Sequence, residues 1–306
     1  MIGIVTNPNA LGLVRDRHLA ARLRVIARDV GIVRETHTPA DLRAAVQEFR
    51  RLGIGILATC GGDGTNLSVL SEAVRVFPPG ALPRVLILRG GTVNTVASEL
   101  GLSGHPEEIL ARCVALHRRD QLMPATQRNL LRVGEQHGFL FGAGMAGRFF
   151  EAYYGGPITG VAWASVLAAR IIGSAFLNGT FAQWIFHPVE AEITADGHRL
   201  PIDRFTLIVA ATIASAGLGF KPTYLGNAAP GRLHLIASGL SPAELAANAP
   251  RCLLGRRLKG RPHCDLLAEE VRIRFARPET YTFDGDLFRA REVVLRAGPR
   301  VTFLTP

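Results

Sequence analysis

Lysine is almost missing from this chain. Of 35 basic residues only Lys221 and Lys259 are lysines. Neither closes a GxxxxGK[ST] loop, which excludes a P-loop nucleotide site. The protein-kinase signature set is absent, and so is HExxH. Cysteine is scarce: Cys60, Cys113, Cys252 and Cys264 are scattered, with no CxxC pair. This excludes a disulfide framework and a zinc ribbon and suits a reducing compartment. No apolar run free of charge reaches membrane-spanning length. The nearest candidate, Ile158 to Leu177, is interrupted by Arg170 and thinned by Gly160, Ser165, Gly173 and Ser174. A spanning helix needs about 20 mostly apolar residues, so this stretch reads as a buried or surface-associated helix. The first residues read as a strand, not as the basic and apolar regions of a signal peptide. The expected location is the cytoplasm, with peripheral association at the inner membrane left open.

The 306 residues are 48% hydrophobic and 20% charged, a globular composition with room for two domains. The net charge of +10 favours polyanions or anionic membrane surfaces. An arginine skew also arises from codon composition, and no nucleic-acid-binding motif accompanies the charge, so no nucleic-acid partner is expected. The densest basic run, Arg251 to Arg261, fits a membrane-facing surface or a solvated loop.

The first part alternates short apolar strands with helical spacing. Strands are predicted at Ile2–Thr6, Ile32–Arg34, Ile54–Thr59 and Arg84–Leu88. Helices are predicted at Val14–Val30, Pro39–Leu52 with Thr38 as N-cap, Asn66–Val76, Val93–Leu100 and Pro106–His117. This rhythm predicts a parallel sheet with helices on its faces. Beyond Gln121 strand-like segments dominate: Phe181–Ile193, Phe205–Ala211, Arg232–Ile236, Val271–Phe275, Thr280–Phe283 and Val293–Phe303. Two helices fall around Phe149–Leu177, and Asp196-Gly197 signals a hairpin. The reading is an α/β domain over residues 1–122 followed by a mostly antiparallel β domain with helical insertions over 123–306. Whether the last strands, near 290–306, return to the first domain is left open.

Three motifs carry chemistry. Gly61-Gly62-Asp63-Gly64-Thr65 stands between a strand and a helix. Glycines there let N–H groups approach phosphate oxygens, and the helix N-terminus adds partial positive charge. Taken alone, the motif also fits a tight strand–helix turn closed by Asp63. Gly90-Gly91-Thr92-Val93-Asn94 repeats the same context. Two such turns on one parallel sheet fall at its carboxyl edge, where α/β folds bind ligands. Asp284-Gly285-Asp286 lies between strands and alone reads as a hairpin turn. A GxGxxG-like run, Gly142 to Gly147, lacks a βαβ frame and reads weakly as a dinucleotide site.

Together these residues, with Asn7-Pro8 and Gly260-Arg261-Pro262-His263, resemble the diacylglycerol kinase catalytic domain family, which includes bacterial lipid kinases and sphingosine and ceramide kinases. The resemblance implies a first domain similar to those of NAD kinases and phosphofructokinases, a β-rich lipid-substrate domain, and ATP with Mg²⁺ bound between them. It implies nucleotide contacts at Asn7, Pro8, Thr36, Gly61, Gly62, Asp63, Gly64, Thr65, Asn66, Gly91, Thr92 and Asn94. The catalytic candidates are Asp286, Asp63 and Asp284, with Asp286 at the position of the family's general base. The sequence departs from the family there, since the family residue is glutamate. It departs again at Thr95 and Ala146, where the family carries aspartates, and at Ala229-Pro230-Gly231, so no protein metal site is expected.

The function expected is ATP-dependent transfer of the γ-phosphoryl group to a hydroxyl of a diacylglycerol- or sphingoid-like lipid. Phe149, Phe150, Tyr153, Tyr154 and Trp163 are candidates for a lipid cleft or an ordinary aromatic core. Alternatives are a non-catalytic nucleotide- or lipid-binding homologue and a kinase of a soluble substrate such as NAD. A homodimer is left open.

Overall fold

The computed structural model describes residues 1–306 apart from Thr92, Pro157, Thr159 and Asn178. In chain order the elements begin β1 Ile2–Thr6, α1 Leu11–Arg15, α2 Leu19–Ala27, β2 Gly31–Glu35, α3 Pro39–Arg51, β3 Ile56–Gly61, α4 Asp63–Val76, β4 Arg84–Arg89, α5 Thr95–Glu99 and α6 Pro106–Arg118. They continue with β5 Ala125–Val133, β6 Gln136–Gly138, β7 Leu140–Gly144, α7 Met145–Tyr154, α8 Val161–Ser174, α9 Thr180–Ile185, β8 Val189–Ala195, β9 His198–Arg199, β10 Arg204–Phe205 and β11 Leu207–Ala211. The last are β12 Leu233–Ser238, α10 Pro242–Ala247, α11 Ala249–Leu253, β13 His263–Ala268, β14 Glu270–Phe283 and β15 Asp286–Leu304. They form two compact units.

The first unit holds Met1–Arg128, residues 136–138 and Pro299–Pro306. Its sheet runs β4-β3-β1-β2, all parallel, with Phe303 of β15 beside Val85 of β4, also parallel. Strands β1 and β3 are buried along their whole length, as strands covered on both faces must be. Helix α3 shows why its residues fold as they do. Thr38 accepts the Asp41 N–H at 3.1 Å and Asp41 accepts the Thr38 N–H at 3.0 Å, a reciprocal cap, with Pro39 in the first turn. Its buried face is Ala45, Val46 and Phe49, and Val46 and Phe49 cluster with Val5, Leu57 and Val69. The single helix predicted over Val14–Val30 is two helices. Asp16 accepts the His18 N–H at 3.2 Å, and such a local side-chain bond competes with helix continuation.

The second unit holds Asn129–Glu135 and Phe139–Gly298. Its strands run β13-β12-β11-β7-β14-β15, all antiparallel. Strand β14 also pairs with β8 through Val271–Phe275, and its register shifts between Arg274 and Glu279. The α/β unit and the antiparallel unit with helical insertions are the fold class the sequence predicts. One segment differs: Phe181–Ile193 is not one strand. Residues Thr180–Ile185 are helical and bury Ala182 and Ile185. The strand starts only at Val189, past Pro188, whose ring biases His187 away from helix.

Candidate functional site

In the first unit the three turns that leave β1, β3 and β4 touch one another. The Asn7 N–H donates to the Cys60 carbonyl at 3.1 Å, and the Asn7 side-chain amide donates to the Thr65 hydroxyl at 3.0 Å. Asn7 also accepts the Asn9 N–H at 3.0 Å, fixing the turn through Pro8. The strand order makes this place special. From β1 the chain moves to β2 on one side, then crosses back to β3 on the other. The crevice between the carboxyl ends of β1 and β3 is therefore a topological switch point, where open α/β sheets bind ligands.

The glycines bring the turns together. A Cβ on Gly91 would overlap the Gly62 Cα, and one on Gly90 would stand 2.8 Å from the Gly61 nitrogen. Neither is tolerable, so GGDGT and GGTVN meet backbone to backbone. A third glycine joins them: the Gly12 N–H donates to the Gly90 carbonyl at 3.1 Å, and a Cβ there would collide with that oxygen. Gly12 was not singled out from sequence. Its signal is a glycine in the first turn of a helix just after Asn7-Pro8.

Helix α4 begins at Asp63, earlier than the predicted Asn66, so Asp63, Gly64 and Thr65 are its first turn and Gly62 its N-cap. Gly62 has no side chain to cap the 14-residue helix, which leaves its N-terminal N–H groups to another partner. Thr65 accepts from Asn7, so its own hydroxyl proton remains to be donated. Asp63 reaches to the neighbouring turn, accepting the Thr95 N–H at 3.1 Å and the Val96 N–H at 3.5 Å. It caps α5 from outside. Burial pushes its carboxyl above the ordinary aspartate value, against those two bonds and a side-chain bond from Thr95, which lower it. Asn94 sits at φ 52°, and its side chain accepts the Gly91 N–H at 3.0 Å and donates to the Gly91 carbonyl at 2.9 Å. Asn94 thus locks the second turn. Asn66 is 2% exposed and accepts the Thr59 hydroxyl at 2.9 Å. Thr36 is buried and its N–H donates to the Thr6 carbonyl at 2.9 Å. Both support the site from below. Thr92 lies outside the described residues.

In the second unit Asp284-Gly285 is the two-residue turn of the β14–β15 hairpin, with Phe283 paired to Asp286. Asp284 stands at φ 49° and Gly285 at φ 96°, the positive angles of a primed hairpin turn. The Asp284 carboxylate accepts the Phe139 N–H at 3.1 Å and the Leu140 N–H at 2.8 Å, and the Asp284 N–H donates to the Leu140 carbonyl at 2.9 Å. It holds the turn against β7. Asp286 is the first residue of β15 and lies exposed. Desolvation by the surrounding protein pushes its carboxyl above the ordinary aspartate range. The aromatic end of α7 packs on this turn: the Tyr154 hydroxyl donates to the Gly285 carbonyl at 3.1 Å, and a Cβ on Gly285 would contact the Phe150 ring at 3.5 Å. Phe149 and Tyr153 continue the cluster. Trp163 donates its indole N–H to the Tyr153 carbonyl at 3.2 Å.

The run Gly142–Gly147 is used for packing. Gly144 needs φ 66°, and a Cβ on Gly147 would press on the Thr280 carbonyl at 2.7 Å. Its glycines let α7 lie close on β14. Its strand β7 is antiparallel to both neighbours, which removes the βαβ frame of a dinucleotide site.

Comparison with known proteins bears on both units. Residues 2–123 match the diacylglycerol kinase catalytic domain. The chain is 33% identical over 93 residues to the protein named "Probable lipid kinase YegS" in Salmonella newport, and equally to that of Salmonella arizonae. The aligned part covers 29% of this chain and 31% of each relative, so the chain matches under a third of their length. A crystal structure of a diacylglycerol kinase from Bacillus anthracis str. Sterne is similar over all of this chain and 96% of its own, with a TM-score of 0.66 at 14% identity. A further structure from that organism reaches 0.70 at the same identity and coverage. At this identity the likeness is one of fold.

Proposed function

We propose, from the match of residues 2–123 to the diacylglycerol kinase catalytic domain, that the protein is an ATP-dependent kinase that phosphorylates a hydroxyl of a diacylglycerol- or sphingoid-like lipid. One observation carries the reading. The uncapped N-terminus of α4, held at the switch point by glycine-to-glycine contact, is a cradle for phosphate. The backbone N–H groups there and the Thr65 hydroxyl suit the oxygens of a nucleoside triphosphate. Mg²⁺ carried by those phosphates would supply charge neutralisation. The Asp63 carboxylate accepts the Thr95 and Val96 N–H groups and a side-chain bond from Thr95, and a carboxylate's remaining acceptor capacity would suit a contact to the ion through water.

The acceptor side rests on the Asp286 turn. Asp286 has the roles open to a base: it is exposed, it is not needed to hold the turn, and its raised carboxyl favours taking a proton. It would orient the lipid hydroxyl and accept its proton as the γ-phosphoryl transfers in line. Most of the acceleration in such a transfer is positioning and charge stabilisation. The aromatic end of α7, beside the turn, suits the apolar part of the acceptor.

A second reading is nucleotide binding without transfer. The commitment of Asp63 to capping α5 favours it. Labelled γ-phosphate supplied as ATP with Mg²⁺ separates the two. The panel is diacylglycerol, monoacylglycerol, sphingosine, ceramide and phosphatidylglycerol in mixed micelles, with NAD as soluble control. The kinase reading expects one labelled lipid, lost in Asp63→Ala. ATP binding with no labelled product supports the second reading, and labelled NAD would replace the lipid.

A further inference from the structure

The helical insertion of the second unit carries an apolar surface that folding does not cover. Seven of the fourteen exposed large apolar side chains among the described residues lie between Tyr154 and Trp184, a tenth of the chain. Phe176 and Leu177, just past the end of α8, are 65% and 69% exposed. Helix α8 buries Ala164, Leu167 and Ile171 on its inner face. A water-facing helix normally carries charge opposite its buried stripe. The outer face of α8 shows Ala162, Ser165, Val166, Ala169 and a single charge, Arg170. The Arg170 guanidinium stacks 4.2 Å from the centroid of the Phe181 ring.

Charge says what covers this face. Between Glu151 and Glu190 the chain has no acidic residue. Leu245 of α10 packs in the same apolar cluster as α7, α8 and α9. The segment that follows α10 repeats the pattern: Leu253 and Leu254 are exposed among Arg251, Arg256 and Lys259, again without an acid. Apolar tips whose neighbours along the chain include cations and no acids match the acyl–headgroup boundary of an anionic bilayer, as does exposed Trp184. A protein partner would more often meet a rim of mixed polar groups. No helix among the described residues is long and apolar enough to cross a membrane. At 14 residues, α8 is about 21 Å long, which suits lying in the interface.

We infer that α8, α9 and the Phe176–Leu177 tip dock the protein on an anionic lipid bilayer, with Leu253 and Leu254 as a second contact. The inference rests on the lipid-kinase reading for its purpose only, since it brings the enzyme to its acceptor. The binding stands without catalysis.

The test is co-sedimentation of the full chain, without ATP, with phosphatidylcholine vesicles and with vesicles that also contain phosphatidylglycerol. Wild type should bind the anionic vesicles preferentially. Phe176→Asp with Leu177→Asp should cut binding about tenfold or more with an unchanged melting temperature. Val25→Asp, on an exposed valine of α2, should leave binding intact. Arg256→Glu with Lys259→Glu should remove the preference for anionic vesicles. The proposal is overturned if wild type ignores vesicles or if the tip variant binds like wild type. It is also overturned if the tip variant only abolishes self-association, which would make the face an interface between copies. Transfer to a water-soluble short-chain acceptor, read on the same samples, keeps the two ideas apart. Bound but inactive protein sinks the kinase reading alone, and active but unbound protein sinks the docking alone.

Discussion

The second unit contains the same turn twice. Asp196-Gly197 joins β8 to β9 with Ala195 paired to His198, and Asp284-Gly285 joins β14 to β15 with Phe283 paired to Asp286. The backbones agree: φ is 48° and 81° in one, 49° and 96° in the other. The aspartates also do the same work. Asp196 accepts the Glu269 and Glu270 N–H groups at 2.8 and 2.9 Å, as Asp284 accepts those of Phe139 and Leu140. An Asp-Gly pair with a carboxylate clamped on a neighbouring strand is thus a structural device in this protein. What differs is the third residue and its surroundings. His198 is exposed on a short edge strand. Asp286 stands beside a turn on which Phe150 and Tyr154 pack. The comparison separates the two aspartates of the Asp284–Asp286 motif: Asp284 holds the turn, and the proposed role of base falls to Asp286.

The comparison sharpens most at Asp286→Asn. A positioned base contributes roughly 10²–10⁴-fold, so transfer should fall by that much while the melting temperature and ATP affinity stay near wild type. Asp284→Ala should act in the opposite way. It strips the acceptor from the N–H of Phe139, which is wholly buried, at a cost of about 2 kcal/mol, read by denaturant melts, while folded molecules keep most of their turnover. Asp196→Ala should cost less, about 1 kcal/mol, because Glu269 is exposed and water replaces the carboxylate. The pH profile gives a finer cut. Asp286 must shed its proton to act, and its carboxyl is raised. Transfer should therefore fall, as pH drops, at a value above the ordinary aspartate range, and that limb should vanish from the residual rate of Asp286→Asn. The smallest effect is expected of His198→Asp, which gives the first turn the same Asp-Gly-Asp sequence. It should change neither stability beyond about 0.5 kcal/mol nor activity.

Local signals made much of this legible in the sequence. Ile2–Thr6 is a strand because four of its five residues, Ile2, Ile4, Val5 and Thr6, are β-branched, Thr38 with Pro39 starts a helix, and Asp196-Gly197 turns a hairpin. Contacts remote in sequence were not legible. Nothing near Gly61 announces that it faces Gly90, or that Gly12 joins them. The start of α4 at Asp63 depends on Asp63 reaching Thr95 and Val96, some thirty residues away. The division of labour between Asp284 and Asp286 depends on β7, which approaches from residues 139 and 140. Motif reading named these residues and could not say which of them hold the structure and which are left for the chemistry proposed.

The most direct measurement is γ-phosphate transfer to the lipid panel by wild type, Asp286→Asn and Asp284→Ala, scaled to the folded fraction of each. The account predicts one labelled lipid with wild type, most of that rate with Asp284→Ala, and almost none with Asp286→Asn despite intact ATP binding. Full transfer by Asp286→Asn, with folded but inactive Asp284→Ala, would contradict it.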